Sequence, residues 1–106
     1  MDDWVFAANE NEIRPGTCRR VDVDDDMIAV YNVDGRYYAI EDRCTHDGGE
    51  LASGEVEGCQ VICPRHGARF NIKTGEALTA PAYEPVHSFP LKHEDGKIFI
   101  RDDRWD

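Results

Sequence analysis

Basic residues are scarce in this chain: 12 Lys and Arg stand against 22 Asp and Glu, a formal net charge of −10 over 106 residues. That surplus disfavours binding to nucleic acid or to anionic membrane surfaces, which would repel it. Long apolar runs are missing as well. No segment approaches the ~20 apolar residues of a membrane span, and Met1-Asp2-Asp3-Trp4 has neither the basic region nor the apolar stretch of a secretory signal. A cytoplasmic protein without membrane association is expected. Repeats, low-complexity tracts and linkers are absent too. The length suits one domain, residues 1–106, with a modest core that a bound metal group joining two loops would help to hold.

Cysteine and histidine are few, four of each, but half of them are concentrated in Cys44-x-His46 and Cys63-x-x-His66, with sixteen residues between the pairs. Two cysteines and two histidines in this mixed order suit a 2Fe-2S cluster, with two thiolates on one iron and two imidazoles on the other. Zinc accepts the same donors in a closed tetrahedral site, although zinc sites more often pair like residues, as Cys-x-x-Cys or His-x₃₋₅-His. A Cys44–Cys63 disulfide with idle histidines is a further alternative, which gives no reason for the interleaving. Charge explains why a cluster would want this set. Two ferric ions, two sulfides and two thiolates sum to zero with neutral imidazoles, so an added electron costs less than on an all-cysteine cluster, and the potential rises.

The pairs stand in Cys44-Thr45-His46-Asp47-Gly48 and Cys63-Pro64-Arg65-His66-Gly67-Ala68-Arg69-Phe70. On these residues, with Leu51-Ala52-Ser53-Gly54, Gly58, Gly75 and the Pro81 segment, the chain resembles the Rieske ferredoxins, small electron carriers of bacterial aromatic-ring dioxygenases. The resemblance implies an all-β, Rieske-type fold of antiparallel sheets. A small cluster-binding subdomain, approximately 42–80, would be formed by two ligand loops, with the Pro81 segment lying against the cluster. It implies one 2Fe-2S cluster held by Cys44, His46, Cys63 and His66, the electron arriving and leaving through the two histidines. The partners implied are an NAD(P)H-dependent flavin reductase as donor and a terminal oxygenase as acceptor, both met transiently by a monomer that has no catalytic residues. The small redox subunit of another multicomponent enzyme, such as an assimilatory nitrite reductase, is the alternative.

The length excludes the family's terminal oxygenases, which add a large catalytic domain with a mononuclear iron on two histidines and a carboxylate. His87 and His93 are read as ordinary surface or strand residues. High-potential members of the family have an extra cysteine in each ligand loop, and serine and tyrosine hydroxyls reaching the cluster. Here Arg65, Ala68 and Phe70 occupy the second loop and no cysteine stands beside Cys44. A potential near the bottom of the roughly −150 to +300 mV span is expected, falling as pH rises past the oxidised-state pKa of the histidines. Arg43, Arg65 and Arg69 are expected to pair with acids such as Asp42 or Asp47, or else to rim a docking face. Cys18 and Cys59 are read as free, buried strand residues.

Local patterns predict strands at Thr17–Val23 and Met27–Val33 around the acidic turn Asp24-Asp25-Asp26, then Asp34-Gly35 as a hairpin turn into Arg36–Ile40. Val86–Lys92 and Lys97–Arg101 flank a second turn at Asp95-Gly96, and Asn9–Ile13 suits one helical turn. Gln60–Cys63 and Arg69–Ile72 frame the second ligand loop, with Lys73-Thr74-Gly75-Glu76 turning the chain back. Gly48, Gly49 and Gly67 are expected to permit tight turns and a close backbone approach to sulfur.

Overall fold

The computed structural model describes residues 4–23, 26–44, 49–65, 67–80 and 82–104. In chain order it runs β1 (Val5–Asn9), a 3₁₀ turn (Glu10–Glu12), β2 (Cys18–Val23), β3 (Asp26–Val33) and β4 (Arg36–Glu41). There follow β5 (Glu55–Glu57), β6 (Gln60–Ile62), β7 (Arg69–Asn71), β8 (Ser88–Phe89), β9 (Leu91–Glu94) and β10 (Lys97–Ile100). The strands form three antiparallel sheets, ordered β1-β10-β9, β2-β3-β4-β8 and β5-β6-β7. The expected all-β architecture is present, and among the described residues no helix is long and apolar enough to cross a membrane.

Both Asp-Gly turns form as anticipated. Asp34 and Gly35 take φ of 52° and 88°, Asp95 and Gly96 of 53° and 74°, the pair of positive values that matches the twist of the flanking strands. The Val33↔Arg36 and Glu94↔Lys97 pairs close the two hairpins.

Strand β3 is the centre of the molecule. Its Ile28 and Val30 join Ala8, Ile13, Ala39, Phe89, Ile98 and Ile100 in one core, against the β1-β10-β9 sheet. Ala29, Tyr31 and Val33, pointing the other way, join Cys44, Leu51, Val61, Cys63, Ala68, Phe70 and Ile72 in a second core. The segment carrying Cys44 and Cys63, with the β5-β6-β7 sheet, thus rests on one face of the middle sheet, and the β1-β10-β9 sheet braces the other. Asn32 is the polar exception within β3, 3% exposed. Its amide donates to the Ile13 carbonyl at 2.8 Å and its oxygen accepts from the Gly35 N–H at 2.8 Å, so both ends of the Asn32 side chain are satisfied.

Two expectations are corrected, and two strands were not anticipated. Val86–Lys92 is not one strand: Ser88–Phe89 pairs with Ile40–Ala39 of β4, whereas Leu91–Glu94 pairs with β10 in a different sheet. Pro90 sits at the break, where its missing N–H would have interrupted either ladder. Strands β1 and β5 carry too weak an alternation to be read locally, and only the Glu10–Glu12 turn was anticipated near the first of them. Asp26 begins β3 rather than ending a turn, and Asp24 and Asp25 lie outside the described residues.

Residues 101–104 strap back across the middle sheet. Arg104 donates to Asp102 and Asp26, lies 3.7 Å from Glu41 and stacks over the Phe89 ring at 5.0 Å. Its hydrogen bonds hold the Asp102 carboxyl down to about 2. His87 and His93 are surface residues as expected, each ring 2.6 Å from a carboxylate, Asp103 and Glu10 respectively.

Candidate metal centre

Cys44 and Cys63 are the two thiols that the fold buries, at 0% and 1% exposure, in one apolar cluster with Leu51, Ala68, Phe70 and Ala82. Neither forms a disulfide, which removes the cross-linked alternative. Each cysteine begins a loop closed at its foot by backbone bonds. The Cys44 N–H donates to the Gly49 carbonyl at 2.6 Å, and the Cys63 N–H to the Ala68 carbonyl at 2.7 Å. In the second loop the Gly67 N–H returns to the Cys63 carbonyl at 3.1 Å, with φ of +76° at Gly67, a value that glycine adopts without strain. His46, His66, Asp47, Gly48 and Pro81 lie outside the described residues. Ala82, next to Pro81, is buried in the same cluster as both thiols.

Glycine also brings the two loops together. An added Cβ at Gly54 would sit 2.0 Å from the Ile62 carbonyl oxygen, so only a residue without one lets the Leu51–Gly54 turn lie against the residue preceding Cys63. Gly75 has the same relation to Val86: a Cβ would come within 2.0 Å of its carbonyl oxygen. That contact, with the Val86 N–H donating to the Gly75 carbonyl at 2.9 Å, seats the far end of the third sheet against the segment that follows Ala82.

The first loop has a further anchor. Asp42, its side chain fully buried, accepts the N–H groups of Leu51 and Ala52 through Oδ1 at 2.8 and 2.7 Å. Its Oδ2 accepts from Arg20 Nε at 2.5 Å, and Arg20 reaches on to Glu50 at 3.3 Å. From below, the Cys18 thiol donates to the Ala52 carbonyl at 3.1 Å, and burial pushes that thiol up, so it keeps its proton. Asp42 is thus taken by Arg20 of β2, while the expected pairing of a loop arginine with an acid is met by Arg69. Arg69 pairs with Glu57 and Gln60 at 3.3 and 3.2 Å. Cys18 and Cys59 are free but only half-buried, and Cys59 lies in the turn between β5 and β6 rather than in a strand. Arg20 escaped the sequence reading because nothing local ties it to a residue 22 positions away; an aspartate two residues before Cys44 was the one available signal.

The donor set fits an iron–sulfur group. Two buried thiols in an apolar cluster, neither in a disulfide, can serve as thiolate ligands once metal replaces their protons. Among the described residues no three His, Cys, Asp or Glu side chains gather as for a metal; with His46 and His66 the set becomes the four ligands that the sequence implies. Ala68 and Phe70, both fully buried, contribute no hydroxyl beside the thiols.

The Rieske [2Fe-2S] domain model matches residues 3–90. The chain is 39% identical over 97 residues to the 3-phenylpropionate/cinnamic acid dioxygenase ferredoxin subunit of Escherichia coli (strain K12), covering 91% of each. The solved ferredoxin of carbazole 1,9a-dioxygenase from Nocardioides aromaticivorans IC177 superposes with a TM-score of 0.93 at 26% identity, covering 96% of this chain and all 100% of that one. A chain in the complex of reduced oxygenase and oxidised ferredoxin of carbazole 1,9a-dioxygenase gives a TM-score of 0.89 at 33% identity, covering 95% of this chain and 94% of that one.

Proposed function

The chain belongs to the Rieske [2Fe-2S] domain family, and from that premise we propose that it is a one-electron carrier of an aromatic-ring dioxygenase system. It takes electrons from an NAD(P)H-dependent flavin reductase and delivers them to a terminal oxygenase, as a monomer in the cytoplasm and without catalysis of its own. Cys44, His46, Cys63 and His66 hold the cluster in this reading. The observation that carries it is the pair of fully buried, unbridged thiols at the feet of two loops, in a chain that matches a dioxygenase ferredoxin subunit over 91% of both lengths. A 2Fe-2S cluster supplies, when bound, a centre that gains and loses one electron with little rearrangement.

The chain's own residues do the rest. Cys44 and Cys63 supply two negative charges in a site walled by Leu51, Ala68, Phe70 and Ala82, from which water is excluded. The absence of hydroxyl donors from Ala68 and Phe70 favours a low potential, because fewer hydrogen bonds reach sulfur to stabilise the reduced state. The −10 net charge steers the carrier toward basic patches on its partners.

Low-temperature EPR of the dithionite-reduced protein, with iron and acid-labile sulfide assayed on the same sample, tests the reading. A rhombic signal averaging g of ~1.9 with matched iron and sulfide is the expected outcome. Stoichiometric zinc and no signal, in protein made under iron-replete anaerobic conditions, would end it. Film voltammetry should place the midpoint below roughly +100 mV and show it falling in alkaline solution.

A further inference from the structure

We infer that the Asp42–Arg20 pair is a potential-setting and loop-positioning device for the cluster, in which Asp42 shapes the first ligand loop and Arg20 neutralises the charge that this requires. The inference rests on Cys44 being a cluster ligand. Asp42 stands two residues before Cys44 and its carboxylate is fully buried, an arrangement that is costly without a compensating cation. It is there because one oxygen gathers two backbone N–H groups, Leu51 and Ala52, that would otherwise end the loop unpaired. The Cys18 thiol takes the Ala52 carbonyl from the opposite side. Both polar groups of that peptide segment are therefore fixed, and with the Cys44–Gly49 bond they hold the neck of the loop rigid.

A negative charge two residues along the chain from a thiolate ligand opposes the arrival of an electron. Arg20 offsets it, but from the outside: its side chain is 45% exposed and is shared with Glu50, where water screens it more than it screens Asp42. The two charges consequently act on the centre with opposite sign and different depth. Arg43 and Glu50 line the same open recess, of about 320 Å³, at the surface end of the pair.

The test is a charge cycle on cluster-loaded protein, read by midpoint potential, EPR line shape and rate of iron release to a chelator. Arg20→Gln is expected to lower the midpoint by leaving Asp42 uncompensated. Asp42→Asn is expected to raise it, since its amide oxygen can still accept from Leu51 and Ala52. The double variant should fall between the two singles, and Arg20→Lys should stay near the parent. Asp42→Ala, which removes the acceptor, should release iron several-fold faster. Should Asp42→Asn fail to retain iron, Arg20→Gln against Arg20→Lys decides the matter alone. Shifts of the same sign in both single variants, or a midpoint unmoved by Arg20→Gln, would overturn the inference. A parent protein without iron and sulfide would instead defeat the assignment of the cluster ligands.

Discussion

Gly75→Ala is expected to prevent the protein from folding stably with its cluster. The substitution combines two penalties. Gly75 has φ of +82°, which costs a residue with a Cβ about 1–2 kcal/mol. The new Cβ would also meet the Val86 carbonyl oxygen at 2.0 Å and its carbon at 3.0 Å, both backbone atoms that cannot rotate away. Relieving the clash requires the turn and the Val86 segment to separate. That breaks the Val86 N–H bond to the Gly75 carbonyl and opens the core in which Val86 lies with Cys44 and Cys63. A loss above about 4 kcal/mol follows, against a total stability of about 5–15 kcal/mol for a domain. Gly58→Ala is the internal comparison: φ is +59° there, but nothing lies within 4 Å of the added Cβ, so only the conformational cost of about 1–2 kcal/mol remains. Urea unfolding of the two variants, with iron content measured before and after, separates the contributions. Equal midpoints for both would refute the close approach of Gly75 to Val86.

Cys63→Ser is expected to abolish the proposed centre, leaving iron, sulfide and visible absorption at background. Cys44→Ser should do the same, because each thiolate is needed both to bind iron and to balance the charge of the cluster, and a serine hydroxyl at neutral pH keeps its proton. The loops lose the group that joins them, so the apo protein should unfold at lower denaturant. Cys59→Ser and Cys18→Ser should keep their iron. Cys59 is half-buried in the turn between β5 and β6, outside both loops in the chain, and a hydroxyl at position 18 can still donate to the Ala52 carbonyl. None of the four cysteines is disulfide-bonded, so retention of iron in the second pair and loss in the first assigns the ligands by function. Full iron and sulfide in Cys63→Ser would reject the assignment.

Much of this could be read without coordinates where the controlling residues are neighbours in the chain. Asp34-Gly35 and Asp95-Gly96 dictate two-residue hairpins because both positions demand positive φ, a local property. Gln60–Ile62 and Arg69–Asn71 appear within a residue of the expected strands, bracketing the second loop. Val86–Lys92 misled because period and composition favoured one strand, whereas Pro90 divides it between two sheets. Strand β3 conveyed its identity but not its place. A run buried on both faces shows no alternation, so nothing in Ile28–Val33 tells which residues face the cluster and which face the β1-β10-β9 sheet.

By itself, then, the sequence determined the proposed donor set, the acidity, the β class and the family, since each depends on residue type and on short spacings. Tertiary structure alone decided that Cys44 and Cys63 share one dry core, that Gly54 and Gly75 sit against distant carbonyls, and that Arg20 answers Asp42. The reason is physical: each of these is a contact between segments brought together only when the sheets stack, and close packing, not chain order, selects the atoms that meet.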